Sequence, residues 1–320
     1  MAPGRKWLLV GTALVLAIIQ SGCATVEREP APKVNTRDQT VQLQIFLDSQ
    51  HFGPGTIDGR RGEFTSKALE LYCEAYGLPP GSLPEVSGIQ PFTTYTITEE
   101  NRSALGAMAS EPADLALQKR LPYVTLGELL GERFHTKEAF LQDLNPAVDL
   151  NRAPAGTVLV VPNVDRPFDS TRFPSRYSAA PASVKETRSV LVDTRERMLH
   201  VHEAGRLIAA FPITPGSETN PAPPGNWKIV RAVPWPWYRY DKGVLERGER
   251  TTEFFNLPPG PNSPVGILWA GLNRQSIGIH GTNSPETIGR AGSAGCIRLA
   301  NWDAATFYTY VGNGVPVTIR

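Results

Sequence analysis

The chain has 320 residues, of which 41% are hydrophobic, and this composition allows sizeable buried cores. The formal net charge is only +1, so the sequence lacks the strongly basic character that a nucleic-acid-binding protein needs. Glycine and proline are frequent, at 29 residues each, which favours several strands and loops over long helices.

The first 23 residues predict an export signal, because a basic start precedes an apolar run at residues 7–19 that is too short for a stable membrane span. The following segment, Q-S-G-C-A-T at residues 20–25, resembles a bacterial lipobox with glutamine where leucine is usual. The resemblance implies that Cys23 is lipidated and that the protein is a periplasmic, membrane-anchored lipoprotein. Ala24 carries no obvious inner-membrane signal, which favours the outer membrane. A simple cleaved signal is the alternative.

A polar linker at residues 24–38 leads into a predicted helical hairpin at residues 39–80, with Thr65 as the N-cap of its second helix. The turn F-G-P-G-T-I-D-G at residues 52–59 is followed by the pattern G-x-x-T-x-x-A-L. This order resembles the small helical peptidoglycan-binding domain of cell-wall enzymes. A plain helical hairpin, in which the glycines only shape turns, is the alternative.

Residues 92–164 predict a second accessory unit. A strand at residues 92–97 is followed by two short helical segments and a closing strand that ends in V-P-N at residues 161–163. This order resembles a LysM module and implies glycan binding. A long insertion at about residues 99–120 departs from the LysM pattern, so a spacer is the alternative.

The remainder of the chain predicts a β-rich domain after a second linker at residues 165–185. Apolar residues alternate in short segments through residues 186–320, beginning with a hairpin that turns at residues 203–205. One helix is predicted at residues 301–311, with Asn301 as its N-cap. The predicted fold class is a mostly β catalytic domain, a sandwich or open barrel with a short helix, preceded by a small helical domain and a small α+β module.

Cys296 and His280 form the candidate reaction centre. A free thiol has a pKa of about 8.5 and is mostly protonated at neutral pH, so a cysteine nucleophile needs a neighbouring base. His280 ends an apolar segment upstream of Cys296 and could project into the same site. Gly295 allows a tight turn and leaves backbone N–H groups free to stabilise an oxyanion.

The motifs I-G-I-H-G-T at residues 277–282 and S-A-G-C-I-R-L at residues 293–299 resemble the catalytic domain of L,D-transpeptidases of the YkuD family. Further segments between residues 190 and 317 share the resemblance. One position departs from the family pattern, because Ala294 stands where a histidine is usual.

The resemblance implies a peptidoglycan substrate. Cys296 would attack the carbonyl between the third and fourth residues of a stem peptide, His280 would accept the thiol proton, and Ser293 would orient His280. Oxyanion or substrate contacts are implied for Gly281, Gly295 and Arg298. An amine would resolve the acyl-enzyme, giving a cross-link or attaching a protein, without a metal or a cofactor. The implied partners are the stem peptides and glycan of the wall, a membrane and an acceptor protein, with roles in wall organisation and cell shape.

Two alternative functions share this fold. One is an L,D-carboxypeptidase or endopeptidase, in which water resolves the acyl-enzyme, and the other is an inactive wall-binding scaffold, which Ala294 favours.

The aromatic run V-P-W-P-W-Y-R-Y at residues 233–240 either lines a substrate cleft or packs as a loop over the sheet. Cys73 lies on a helical stretch and is expected to pack, because a disulfide with Cys296 would remove the nucleophile.

Overall fold

The computed structural model describes residues 37–217, 220–247, 249–290, 292 and 295–320, which belong to one compact unit. The predicted export signal and Cys23 lie outside these residues. None of the helices in these ranges is long and apolar enough to cross a membrane. In chain order the helices and strands are α1 (Arg37–Ser49), α2 (Glu63–Ala75), β1 (Phe92–Thr96), α3 (Glu99–Ser103), α4 (Pro112–Leu117), α5 (Leu126–Arg133), α6 (Glu138–Leu144), β2 (Val158–Pro162), β3 (Arg188–Asp193), β4 (Met198–Glu203), β5 (Arg206–Pro212), β6 (Thr214–Pro215), β7 (Gly225–Pro234), β8 (Tyr238–Tyr240), α7 (Lys242–Arg247), β9 (Phe255–Leu257), β10 (Leu268–Leu272), β11 (Gly278–His280), β12 (Ile297–Arg298), α8 (Asn301–Tyr308) and β13 (Pro316–Ile319).

The C-terminal half is built on a nine-stranded sheet in the order β5-β4-β3-β13-β7-β10-β11-β12-β6. Strands β5 and β6 lie at opposite edges of this order, yet only Ile213 separates them in the chain. The sheet must therefore curl until its two edges approach each other, which gives a nearly closed sheet. The prediction of a mostly β catalytic domain is confirmed, and its open-barrel form fits better than two separate stacked sheets.

The predicted hairpin at residues 203–205 joins β4 to β5. Ala204 and Gly205 have φ angles of +48° and +79°, the left-handed pair that a tight two-residue hairpin turn needs. Helix α8 ends at Tyr308, three residues before the end of the helix predicted from the sequence. Its N-cap residue is Ala300, so the prediction that Asn301 caps this helix was wrong. Asn301 instead directs its side chain into the interior, where it bonds to other segments.

Helices α1 and α2 form a hairpin that packs on the edge of the large sheet. Leu43 and Leu69 share a buried cluster with Met198 and Ala210 of β4 and β5. The amide of Gly53 donates to the carbonyl of Ala210 at 2.8 Å, so the loop between the helices also covers the backbone of edge strand β5.

Helix α2 begins differently from the sequence prediction. Its N-cap residue is Gly62, and Thr65 lies inside the helix with 1% exposure, so Thr65 is not the cap. The Thr65 hydroxyl donates to the carbonyl of Pro54 at 3.3 Å and accepts from Gln44 at 3.2 Å. Thr65 thus fixes the turn between the two helices, because a buried hydroxyl needs partners.

Residues 92–164 fold as a two-stranded antiparallel sheet of β1 and β2 with helices between the strands. Helix α5 begins with a capping box, in which the Thr125 hydroxyl accepts from the amide of Glu128 and the Glu128 carboxylate accepts from the amide of Thr125. Leu126 and Leu130 of α5 are fully buried in the core of this module. The predicted linker at residues 165–185 packs against the rest of the protein, because Phe168 and Phe173 are buried in the core of the large sheet.

Candidate active site

Strand register brings Cys296 and His280 to the same face of the large sheet. Strands β11 and β12 pair in parallel, with Ile279 opposite Ile297 and His280 opposite Arg298. Side chains alternate between the faces of a strand, so His280 and Arg298 point to one side and Cys296, two residues before Arg298, points there too. All three line a single cleft.

His280 is held in one orientation and one tautomer. Its Nδ1 lies 2.6 Å from the carbonyl oxygen of Gly281, so Nδ1 carries a proton and donates it, leaving Nε2 as the acceptor. The indole of Trp269 stacks on the imidazole at 5.5 Å between ring centroids and 20° between planes. Gly278 and Gly271 make room for this indole, because a Cβ on either would lie 2.7 Å or 2.9 Å from it.

The resting thiol and imidazole are both neutral. Burial lowers the pKa of His280 to about 4, and the positive charge of Arg298 adds to this effect against the hydrogen bond with Gly281. Burial raises the pKa of Cys296 to about 11, although a hydrogen bond from the backbone of Gly278 opposes the shift. At pH 7 the cleft therefore holds a neutral thiol and a neutral imidazole rather than a thiolate and an imidazolium.

Two residues with positive φ angles lie close to Cys296. Gly295 has a φ angle of +86°, in the left-handed region that favours glycine. Ser276 also has a positive φ of 64°, and its carbonyl oxygen lies 3.4 Å from the Cys296 sulfur. Unfavourable φ values at non-glycine residues are concentrated at functional sites.

The cleft in front of Cys296 has a volume of about 810 Å³. Three of its lining residues are Arg239, Arg250 and Arg298, and its described lining contains no aspartate or glutamate. The described lining therefore carries more positive than negative charge, although Asp241 forms an ion pair with Arg239 at 3.1 Å. Arg250 reaches across the cleft and donates to the Ser276 hydroxyl at 3.2 Å.

Part of the aromatic run at residues 233–240 lines this cleft, whereas Trp235 packs against the core of the large sheet. Trp237 is 64% exposed at the cleft, and Tyr238 faces the nucleophile closely enough that the charge of Cys296 adds to the burial that raises the Tyr238 pKa to about 12. Arg239 stacks on Phe254 at 3.4 Å and donates to Asp241 at 3.1 Å, which fixes the run against β9.

The remaining residues singled out from the sequence are placed as follows. Gly281 is buried behind His280, where a Cβ would lie 2.3 Å from Asn301 Oδ1. Ser293, predicted to orient His280, lies outside the described residues, as does Ala294. No disulfide joins Cys73 and Cys296, and the Cys73 sulfur lies 3.4 Å from the carbonyl of Ser82.

No group of three or more histidine, cysteine, aspartate or glutamate residues in the described ranges is arranged to hold a metal ion. The residues that sequence reasoning missed are Trp269, Ser276 and Arg250. Trp269 is separated from Gly271 by one residue within a strand, and this large-small alternation is the one signal that could have indicated it.

The sequence profile of the YkuD family, described as the L,D-transpeptidase catalytic domain, matches residues 187–319. The match covers residues 187–319, less than half of the chain, and supports an L,D-transpeptidase catalytic domain over that range. The matched range, called the YkuD domain below, contains β3 to β13 and therefore the whole nine-stranded sheet.

Relatives of the YkuD domain come from several bacteria. The YkuD protein of Bacillus licheniformis is 29% identical over 198 residues, which cover 62% of this chain and 94% of that protein. The aligned length exceeds the matched domain, so the similarity continues outside it. The ErfK/SrfK protein of Salmonella typhimurium is 29% identical over 186 residues, and the match spans 55% of this chain but only 53% of that relative. Both carry L,D-transpeptidase in their names.

Solved structures show a more distant likeness. An L,D-transpeptidase from Mycobacterium smegmatis is 18% identical with a TM-score of 0.35, covering 53% of this chain and 76% of that chain. The catalytic domain of the E. faecium L,D-transpeptidase is 20% identical with a TM-score of 0.34, covering 42% of this chain and 98% of that chain.

Proposed function

We propose that the YkuD domain is an L,D-transpeptidase with Cys296 as nucleophile and His280 as proton acceptor, acting on peptidoglycan stem peptides. The observation that carries the proposal is the common face of β11 and β12, where both side chains line the same cleft. The match of residues 187–319 to the YkuD family model supports the reaction class, and the stem peptide as substrate rests on the resemblance of the motifs.

The reaction proceeds in two halves. The Cys296 sulfur attacks the carbonyl between the third and fourth residues of the stem while its proton passes to Nε2 of His280. Because the thiol pKa is about 11 and the imidazole pKa about 4, this proton moves during the attack and not before it. The C–N bond breaks, the leaving amine takes the proton from His280, and a thioester remains. The amine of an acceptor then attacks the thioester and regenerates the thiol.

The oxyanion of each half-reaction needs backbone donors. The left-handed turn at Gly295 supports the amide of Cys296 in this role.

The three arginines that line the cleft, Arg239, Arg250 and Arg298, support a substrate with free carboxylates, and the stem peptide of bacterial wall has them. Trp237 and Tyr238 offer apolar walls for the rest of the peptide.

Three further proposals concern the rest of the chain. The hairpin of α1 and α2 is a peptidoglycan-binding domain, and residues 92–164 are a LysM-like glycan-binding module. Cys23 carries a lipid anchor that holds the enzyme at a membrane of the periplasm. Sedimentation of the Cys296→Ala protein with purified wall tests the first two, and acyl-chain labelling of the wild type against Cys23→Ser tests the third. If Cys23→Ser still incorporated the labelled acyl chain, the proposed anchor at Cys23 would be refuted.

Mass spectrometry of the full-length protein with wall fragments bearing tetrapeptide stems tests the reaction. Transfer predicts a covalent adduct on Cys296, loss of that adduct in Cys296→Ala, and new cross-linked dimers. Cys73→Ala is the matched control, because this buried free thiol lies in the helical hairpin and should leave the adduct intact. Shortened stems without dimers would indicate hydrolysis, and the absence of both adduct and product would refute an enzymatic role.

A further inference from the structure

A buried chain of polar contacts connects the module at residues 92–164 to the candidate active site. Glu132 on α5 accepts a hydrogen bond at Oε1 from Asn301 Nδ2, at 2.8 Å, across 169 positions of sequence. Glu132 is 4% exposed and Asn301 is fully buried. We infer that Glu132 is a positioning residue for His280 and acts through Asn301; this inference rests on the proposed function.

Asn301 bonds to the segment that precedes β10 and lies against Gly281, which follows β11. Its Oδ1 accepts from the amide of Ile267 at 3.3 Å, and its Nδ2 also donates to the carbonyl of Pro261 at 3.2 Å. The same Oδ1 packs against the α-carbon of Gly281, where any Cβ would lie 2.3 Å away. Only glycine fits beside this amide, so the side chain of Asn301 sets the position of Gly281.

Gly281 in turn sets the ring of His280. Its carbonyl accepts the Nδ1 proton at 2.6 Å, and its amide donates to the carbonyl of Leu268 at 3.2 Å. A shift of the Gly281 peptide moves the acceptor that fixes both the tautomer and the direction of Nε2. The contacts from Glu132 to Asn301, Gly281 and His280 are therefore continuous.

Glu132 has no other evident reason to be an acid. Helix α5 already packs its module through Leu126, Leu129 and Leu130, and a buried carboxyl group is costly unless it is hydrogen-bonded. Its second oxygen accepts from the Tyr123 hydroxyl at 2.7 Å, which holds the carboxyl group from the module side. Burial raises the pKa of Glu132 to about 8, so the group is mostly neutral at pH 7 and suits a hydrogen-bonded relay.

Three variants of the full-length protein separate positioning from stability. Glu132→Met keeps approximately the volume of the side chain but removes the acceptor for both Asn301 and Tyr123, so it also costs stability through their buried donors. Glu132→Gln keeps an oxygen for Asn301. Leu129→Ala weakens the same helix without touching this chain of contacts.

Two readouts are used. The first is the rate of Cys296 acylation by a tetrapeptide stem fragment at saturation. We expect Glu132→Met to slow it about tenfold or more, because small displacements of a catalytic group cost large factors in rate. The acylation rate of Glu132→Gln should stay within about threefold of the wild-type rate. Leu129→Ala should acylate faster than Glu132→Met, even when its urea midpoint falls by the same amount or more.

The second readout is the ring ¹⁵N spectrum of His280, assigned with a His280→Asn variant. The wild type and Glu132→Gln should show one tautomer with the proton on Nδ1, and Glu132→Met should show altered shifts. Unchanged shifts in Glu132→Met, or a rate no lower than that of Leu129→Ala, would overturn the inference. If the wild type itself forms no acyl-enzyme, the proposed function fails while the spectrum still tests the positioning.

Discussion

Replacing Trp269 tests the physical origin of the neutral base. The indole covers one face of the His280 ring, and His280 itself is only 5% exposed. Burial is the main reason that the pKa of His280 lies at about 4 rather than 6.5. Trp269→Ala admits water to that face, so the pKa should rise.

The size of the rise has an upper limit. Full hydration would return the pKa of His280 from about 4 to its ordinary value of 6.5, a change worth about 3 kcal/mol. The other face and the edge of the ring stay buried and Arg298 remains nearby, so we expect a rise of about one unit in Trp269→Ala. Trp269→Phe keeps a ring over the imidazole and should change the pKa by less.

The assay is a titration of the His280 ring C–H signals by NMR between about pH 3.5 and 8. Because only the neutral imidazole accepts the thiol proton, the acid limb of the acylation rate should move to higher pH by the same amount. A Trp-to-Ala change also costs about 3–5 kcal/mol of stability, so folding is checked by circular dichroism at each pH. A pKa that stays at about 4 in folded Trp269→Ala would refute the role of burial by this residue.

Three further predictions follow from individual groups. Alkylation of Cys296 by iodoacetamide should rise with pH up to about 11, and near pH 8 it should run about 100-fold slower than for a thiol of pKa 9; a midpoint near pH 9 would contradict this. Because the pKa of Glu132 is raised in the folded protein, the stabilising contribution of this group is full below about pH 4.5 and is lost as pH rises through about 8. The free energy of unfolding, measured with urea, should therefore fall by up to about 4 kcal/mol over that range in the wild type. The fall should be smaller in Glu132→Gln. Gly281→Ala places a Cβ 2.3 Å from Asn301 Oδ1, so it should lower acylation at least tenfold while binding of the stem peptide, measured by calorimetry, is largely kept; wild-type rates would contradict it.

The sequence predicted the β-rich domain because its signals are local. Alternating apolar residues and the turn at residues 203–205 specify strands without reference to distant parts of the chain. The pairing of β11 with β12 was not predicted. The motifs around His280 and Cys296 nevertheless indicated the two residues that this pairing places on one face of the sheet.

The predictions for Thr65 and Asn301 failed for a common reason. Each is a good N-cap residue by type, but its side chain bonds outside its own helix, Thr65 to the preceding loop and Asn301 to a distant module. The partner of Asn301 lies in a different module, and no local pattern reveals that Glu132 is buried. Tertiary contacts therefore override capping preference at these positions. The same limitation hid the stacking of Trp269 on His280.

The intact mass of the full-length protein during reaction with a tetrapeptide stem tests the central claim most directly. The account predicts a transient mass increase equal to the acyl part that ends at the third stem residue, with release of the fourth residue as a free amino acid. Peptide mapping should place this adduct on Cys296, and Cys296→Ala should not form it. An adduct on another residue, or turnover without any adduct in the presence of an intact Cys296, would contradict the account.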